Sequence, residues 1–153
     1  MGDLTRYFDH KDFACRCGCG LNCSHPLAVC GAEQVRRRLG RPVFITSATR
    51  CWEHNIEEGG APLSQHVPGA LAMSRAVDLV CPGARLQEML NAAENIEQFR
   101  DGGIGLYLDG ESRFMHADVR TTGRARWYQL DGVLVEVGEL LRADAERPVE
   151  GVA

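Results

Sequence analysis

The stretch SQHVPGALAMSRAVDLV, residues 64–80, joins a polar loop to an apolar run that contains a single carboxylate, Asp78. The run AVDLV, residues 76–80, is short, apolar and partly β-branched, and it therefore predicts a buried strand. A carboxylate inside such a strand needs a cation, a metal ion or several hydrogen-bond donors to replace its lost hydration. His66, in the preceding loop, offers an imidazole that could share a metal ion with Asp78. The alternative is a simple ion pair between Asp78 and an arginine.

A second strand, FMHADVR at residues 114–120, carries polar side chains on one face. Because side chains alternate along a strand, His116 and Asp118 point to the same side as Phe114 and Arg120. Met115, Ala117 and Val119 point to the other side. Such a row is costly in a core and suits the floor of a site, although a solvent-exposed face would also accept it. With His66 and Asp78, His116 completes a His-Asp-His set that suits a zinc ion with one position left open for water.

The remaining sequence predicts helices and strands in mixed order, and therefore an α+β fold. Asp-Gly pairs at 109–110 and 131–132 predict hairpins. Residues 47–75 contain few periodic apolar positions, so we expect a long loop there, and long ordered loops are usually functional. We expect a small, mostly antiparallel sheet with flanking helices and long loops. The expected helices are 27–39, 86–96 and 138–145, and the expected strands are 42–46, 76–80, 104–108, 114–119, 127–130 and 133–137.

The length of 153 residues predicts a single domain. We assign this domain to 1–146, with an irregular Cys/Gly-rich segment at 1–26 and a flexible tail at 147–153. The formal net charge of −4 argues against nucleic acid as the main partner, and no apolar run approaches the roughly 20 residues of a membrane span. The N-terminus lacks the basic and apolar regions of a signal peptide. We therefore expect a monomer that is cytoplasmic at synthesis.

Seven cysteines are many for a cytosolic protein, and five of them lie between residues 15 and 30. The odd number leaves at least one thiol without an intramolecular partner. The segment CRCGCGLNC, residues 15–23, contains no CxxC pair, which is the usual spacing of a zinc knuckle. Loop disulfides, a second, structural metal ion and free buried thiols are the three alternatives. We favour free or partly paired structural cysteines, because no export signal places the chain in an oxidising compartment.

The chain resembles the zinc D-Ala-D-Ala carboxypeptidases and related murein metallopeptidases, which share the hedgehog/DD-peptidase fold. The resemblance covers about residues 4–127, and its pieces occur in order: FDHKDFACRCGCG, PVFITSATRCWEHN, GGAPLSQH, AVDLV, GGIGLY, FMHADVR and RARW. The family pattern SxHxxGxAxD and its strand FVHVDVR imply zinc ligands at His66, Asp78 and His116. Arg50 matches the arginine of the family's SGYR-like segment, and it would bind a substrate carboxylate or carbonyl through its planar guanidinium.

The sequence departs from the family pattern in three places. The interval from His66 to Asp78 is twelve residues instead of seven, Ser74 replaces a glycine, and TSATR replaces the more usual TSGYR. Each doubling of a loop's length costs only ~0.6 kcal/mol, so His66 can still reach the ion. The insertion at 68–74 is apolar enough to form a flap over the cleft, which would alter substrate access.

The general base must be a carboxylate within hydrogen-bond reach of the attacking water. Asp118, on the strand face of His116, is the first candidate. Glu111, at the hairpin before that strand, is the second, because relatives place an acid a few residues before the last ligand. Asp118 could instead hold His116 in the correct tautomer. Ser64 and His54 are candidate substrate-binding residues, together with the arginine of TSATR.

The resemblance therefore implies a zinc metallopeptidase that hydrolyses peptide bonds in peptidoglycan stem peptides, as a D,D-carboxypeptidase or an endolysin-like enzyme. Its place of action would be the cell wall, or a phage context. One catalytic zinc ion would activate water and stabilise the oxyanion. One alternative is a non-catalytic zinc-binding structural or cell-wall-binding domain with the same fold. The other is a cysteine-rich adaptor whose N-terminal thiols bind metal.

Overall fold

Six strands form one mixed sheet within residues 2–149, the part of the chain that the computed structural model describes. They are β1 (Phe44–Ser47), β2 (Ala76–Val80), β3 (Gly103–Asp109), β4 (Ser112–Asp118), β5 (Ala125–Leu130) and β6 (Val133–Leu134). Their order across the sheet is β1-β2-β4-β3-β5-β6. Neighbouring strands are antiparallel except β3 and β5, which are parallel. The predicted α+β class is confirmed.

Five helices accompany this sheet within the described residues, and the sequence explains where the first of them begins and ends. It begins at Pro26, whose missing N–H is not needed in the first turn, and it ends before Gly40, whose φ of 62° suits glycine. No helix of residues 2–149 combines the length and apolar character that a membrane crossing needs. The helices are α1 (Pro26–Leu39), α2 (Trp52–Glu57), α3 (Leu86–Glu94), α4 (Glu97–Arg100) and α5 (Val137–Glu146), preceded by a 3₁₀ turn at His10–Phe13.

The two faces of the sheet differ in chemistry because side chains alternate along each strand. On one face, Leu79, Leu106 and Met115 are fully buried in the core, and α1 and α3 pack against the sheet. On β2 and β4 the alternate positions hold Asp78 and His116, which lie directly opposite each other in the ladder between these two strands. The fold therefore sets a carboxylate and an imidazole side by side at the centre of the sheet.

Several predicted boundaries differ from the structure. The predicted loop at 47–75 contains α2, whose six residues are too few to show an apolar period. The predicted helix at 86–96 ends at Glu94, and α4 follows it as a separate short helix. The strand predicted at 42–46 begins at Phe44.

The predicted tail at 147–153 is described only as far as residue 149. Within that part, Arg147 pairs with Asp131 at 2.7 Å and also donates to the carbonyl of Gly110. These contacts attach residue 147 to the two hairpin turns of the sheet. Residues 150–153, and Met1 of the N-terminal segment, lie outside the described residues.

Candidate metal centre

Three buried side chains bring their donor atoms to one point. His66 Nε2 lies 3.1 Å from His116 Nδ1 and 3.2 Å from Asp78 Oδ1, and the latter two atoms are 3.0 Å apart. Ligand atoms around a tetrahedral zinc ion lie about 3.3 Å apart when each bond is about 2.0–2.1 Å long. The triangle is therefore close to the size that zinc requires. Its donors, two imidazole nitrogens and a carboxylate oxygen, are ones that zinc accepts.

His66 reaches this triangle from a loop, and two hydrogen bonds hold the loop in place. The Nδ1–H of His66 donates to the carbonyl of Ala48 at 2.6 Å, which leaves Nε2 free to bind a metal ion. Its own carbonyl accepts from the backbone N–H of Arg50 at 2.9 Å. Both partners follow β1, so the long interval before Asp78 does not displace the imidazole.

The insertion at 68–74 lies beside the cleft rather than over it. The residues that line the cleft include His66 and Asp78 but none of the residues between them in the sequence. Leu71, near the tip, is fully exposed, whereas Ser74 at the end is fully buried and its Oγ lies 2.8 Å from Thr49 Oγ1. The expected flap is therefore absent from the described structure.

Asp118 orients His116 and is itself saturated with donors. Its Oδ2 accepts from His116 Nε2 at 2.9 Å, and its Oδ1 accepts from the backbone N–H of Gly103 at 3.0 Å. The guanidinium of Arg120 donates to both oxygens, at 2.8 Å from Nε and 2.6 Å from Nη2. Because His116 donates its Nε2–H to Asp118, the neutral form of the imidazole presents the lone pair of Nδ1 toward Asp78 and His66.

Without a metal ion, the surroundings of His116 favour its protonated form. Burial opposes the charged form of His116, but the carboxylates of Asp118 and Asp78 outweigh it and raise the pKa of His116 to about 9. Burial also opposes the charged form of Asp78, yet the electrostatic interaction with His66 and the hydrogen bond from His116 hold the pKa of Asp78 well below its usual range. Metal binding here requires that the proton on His116 Nδ1 be released.

Arg50 contacts the outer oxygen of the candidate ligand. Its Nη2 donates to Asp78 Oδ2 at 2.8 Å, and its Nε donates to Ser47 Oγ at 2.7 Å. Arg50 also lines the cleft, where its side chain is 14% exposed. The ion pair between Asp78 and an arginine is thus present together with the His-Asp-His triangle, and each oxygen of the carboxylate serves one of them.

A model of the peptidase M15 family matches residues 6–118, which is most of the chain. The chain belongs to the peptidase M15 family. This M15 peptidase carries its three candidate ligands inside the matched span, and the family depends on zinc. No curated protein and no solved structure matches the chain. The predicted family resemblance is thereby confirmed at the level of M15 peptidases, which makes the protein a hydrolase of peptide bonds.

The cleft of the M15 peptidase has a volume of about 620 Å³ and an aromatic wall. Tyr107 and Phe114 stack with their ring centres 4.3 Å apart, and the indole N–H of Trp127 donates to the hydroxyl of Tyr107 at 2.6 Å. Trp127 also lies beside His116, with ring centres 5.1 Å apart. Flat, rigid side chains of this kind present apolar surface next to the candidate metal centre.

Tyr107 and Gly105 are not among the residues predicted from the sequence, although a glycine inside the apolar strand β3 is a usable signal. A Cβ at Gly105 would lie 2.3 Å from the indole of Trp127. Glycine within a strand often marks a close approach by another group. Here it makes room for an aromatic side chain of β5, which is paired with β3.

The other predicted site residues separate into two groups. Ser64 lines the cleft, and its Oγ accepts from the backbone N–H of His66 at 3.3 Å. His54 lies on α2, and Glu111 lies exposed in the turn between β3 and β4. Neither of these two is among the residues that line the cleft.

Proposed function

We propose that this M15 peptidase is a zinc metallopeptidase that hydrolyses peptide bonds in peptidoglycan stem peptides, on a hedgehog/DD-peptidase fold. The convergence of His66 Nε2, Asp78 Oδ1 and His116 Nδ1 within 3.2 Å of one another carries this proposal. Two neutral imidazoles and one carboxylate leave a fourth tetrahedral position for water or substrate. When bound there, zinc supplies Lewis-acid activation of water and of a carbonyl.

Arg50 is the group we assign to substrate carboxylate or carbonyl binding. Two of its nitrogens are held by Asp78 and Ser47, and among the described residues its Nη1 has no hydrogen-bond partner. Because the guanidinium is fixed on one side and lines the cleft on the other, it can donate to a substrate oxygen without reorganising. A stem peptide that ends in a free D-Ala carboxylate supplies such an oxygen.

Proton transfer requires a carboxylate that can reach the cleft. The burial of Asp118 and its five hydrogen-bond donors suit it to positioning His116, which is the second of the two roles that the sequence suggests. Glu111 is not among the residues that line the cleft. Apart from the candidate ligand, the carboxylates that line the cleft are Glu58 and Asp109. We therefore propose that one of these two moves the proton.

Defined muropeptides test the proposal. A pentapeptide monomer and a cross-linked dimer are incubated with the zinc-loaded protein, and the products are separated and weighed by mass spectrometry. We expect cleavage that stops on chelation, returns with zinc and is lost in His66→Ala. Release of terminal D-Ala would identify a carboxypeptidase, and opening of the dimer an endopeptidase. Zinc binding without any cleavage would show a non-catalytic zinc-binding domain and would overturn the proposed activity.

A further inference from the structure

Four cysteine sulfurs, three from the N-terminal segment and one from the loop after β1, lie close together. The Sγ atoms of Cys15, Cys17, Cys19 and Cys51 all lie within 4.8 Å of one another. Cys15 and Cys17 are 3.3 Å apart and Cys17 and Cys51 are 3.7 Å apart, whereas a disulfide would need about 2.05 Å. Sulfur ligands around a tetrahedral zinc ion lie about 3.8 Å apart, because each Zn–S bond is about 2.3 Å long. We propose that these four thiolates bind a second, structural zinc ion.

The local chain conformation is built to bring three of these thiols to one point. Gly18 lies between Cys17 and Cys19 and Gly20 follows Cys19, and both glycines have φ of 82°, which side-chain-bearing residues rarely adopt. The backbone N–H of Cys15 donates to the carbonyl of Leu21 at 2.8 Å and closes the loop. The glycines therefore allow a tight turn that directs successive thiols to the same side.

Backbone N–H groups point at two of the sulfurs. The N–H of Cys51 donates to Cys15 Sγ at 3.3 Å, and the N–H of His54 donates to Cys51 Sγ at 3.4 Å. A hydrogen bond to the charged form of a group favours that form, so these donors stabilise thiolates. Thiolate is the form that binds metal, and four thiols that bind one zinc ion release four protons to solvent.

Core packing does not account for this cluster. A cysteine that acts as a small apolar residue is buried by itself, as Cys81 is. In the cluster, Cys17 and Cys19 are exposed although their sulfurs converge with the buried Cys15. Exposed thiols that meet at one point gain nothing from apolar burial, and metal binding gives their position a physical reason.

The proposed zinc would tie the N-terminal segment to the loop that supports the candidate catalytic centre. Cys51 directly follows Arg50, which donates to Asp78, and the same loop provides the Ala48 carbonyl that orients His66. Structural zinc contributes folding free energy where little regular structure exists. The second ion would therefore hold in place the loop that positions two of the three candidate catalytic ligands.

Metal content of the full-length protein tests the inference. The zinc-loaded wild type should contain about two zinc ions per chain, one for each group of ligands. Cys17→Ser and Cys19→Ser should each lose one ion, and His66→Ala should lose the other. Cys30→Ser, which changes an exposed cysteine outside the cluster, should keep both.

Cobalt substitution provides a second readout that does not depend on activity. Cobalt bound to thiolates gives strong sulfur-to-metal charge-transfer absorption, which should persist in His66→Ala and disappear in Cys17→Ser. If Cys17→Ser fails to fold, the spectra of the wild type and of His66→Ala decide alone. A wild type with one zinc ion, unchanged in the cysteine variants, would overturn the inference, as would a disulfide among these cysteines in the non-reduced protein. Either result would leave the proposed peptidase activity untouched, because the two sites share no ligand.

Discussion

Replacing Asp118 with asparagine separates the two roles that its position allows. The carboxylate is fully buried and accepts hydrogen bonds from His116, Gly103 and Arg120. Asparagine keeps the shape of the side chain but turns one oxygen into an N–H₂ donor that faces another donor. The imidazole of His116 then loses the partner that fixes its tautomer, and the guanidinium loses its counter-charge.

Two losses are expected, one in zinc affinity and one in folding stability. Loss of a hydrogen-bond partner behind a metal ligand typically lowers metal affinity 10–100-fold, which corresponds to about 1.4–2.8 kcal/mol. Removing one partner of a buried ion pair costs about 3–5 kcal/mol of folding free energy. Because the Arg120 side chain is still 22% exposed, we expect the lower end, about 3 kcal/mol.

Competition against a chromophoric chelator measures the zinc affinity, and urea unfolding of the metal-free protein measures the stability. If Asp118 positions His116, Asp118→Asn should bind zinc more weakly and should recover turnover when zinc saturates the site. Asp101→Asn is the matched control, because Asp101 is exposed and, within residues 2–149, its carboxylate pairs only with the neighbouring Arg100. Unchanged zinc affinity with turnover lost at saturating zinc would refute this reasoning and would make Asp118 the proton-transfer group.

Three further predictions concern substrate binding, pH and packing. Arg50→Lys should lower kcat/KM by roughly 10–100-fold in steady-state assays at equal zinc content, because lysine cannot donate through a planar fork. A kcat/KM equal to that of the wild type would exclude a role of Arg50 in substrate binding. The pKa of His116 rises from about 6.5 in the unfolded chain to about 9 in the folded one. The stabilisation of the folded state by protonated His116 is therefore complete below about pH 6.5 and is lost as the pH rises through about 9. Metal-free protein should lose up to about 3 kcal/mol of unfolding free energy over that range, and an equal loss in His116→Gln would contradict this assignment. Gly105→Ala should cost about 1–3 kcal/mol in urea unfolding because its Cβ would lie 2.3 Å from Trp127, whereas Gly138→Ala on α5 should be neutral or stabilising.

Two strands of the candidate site could be predicted from the sequence because their chemistry conflicts with their position. A carboxylate in the apolar run AVDLV, and an imidazole and a carboxylate on one face of FMHADVR, mark polar groups that need partners. The structure pairs Asp78 with His116 across β2 and β4 and brings His66 to them. Metal binding by these three residues stays a prediction, which the experiments above address.

Local turn chemistry also predicted part of the sheet correctly. The predicted hairpin between the antiparallel strands β3 and β4 is present, although Asp109 ends β3 and the turn itself consists of Gly110 and Glu111. Asp131 and Gly132, with φ of 46° and 81°, form the turn between β5 and β6. Such positive φ values are what the Asp-Gly pair accommodates in a hairpin, so a two-residue signal is sufficient.

Features that depend on distant residues could not be predicted in this way. The parallel pairing of β3 with β5 follows no local rule of the sequence. The cysteine cluster could not be recognised from local spacing, because three of its members follow a CxCxC pattern and the fourth, Cys51, comes from the loop after β1. The saturation of Asp118 depends on contacts with Gly103 and Arg120, so its role as base or as positioning residue was open from sequence alone.

Zinc-edge anomalous diffraction from crystals of the zinc-loaded protein tests the central claim most directly. We predict a zinc peak about 2.0–2.2 Å from His66 Nε2, His116 Nδ1 and Asp78 Oδ1, with a fourth position open to the cleft. Absence of a zinc peak among these three atoms in zinc-loaded crystals would contradict the account.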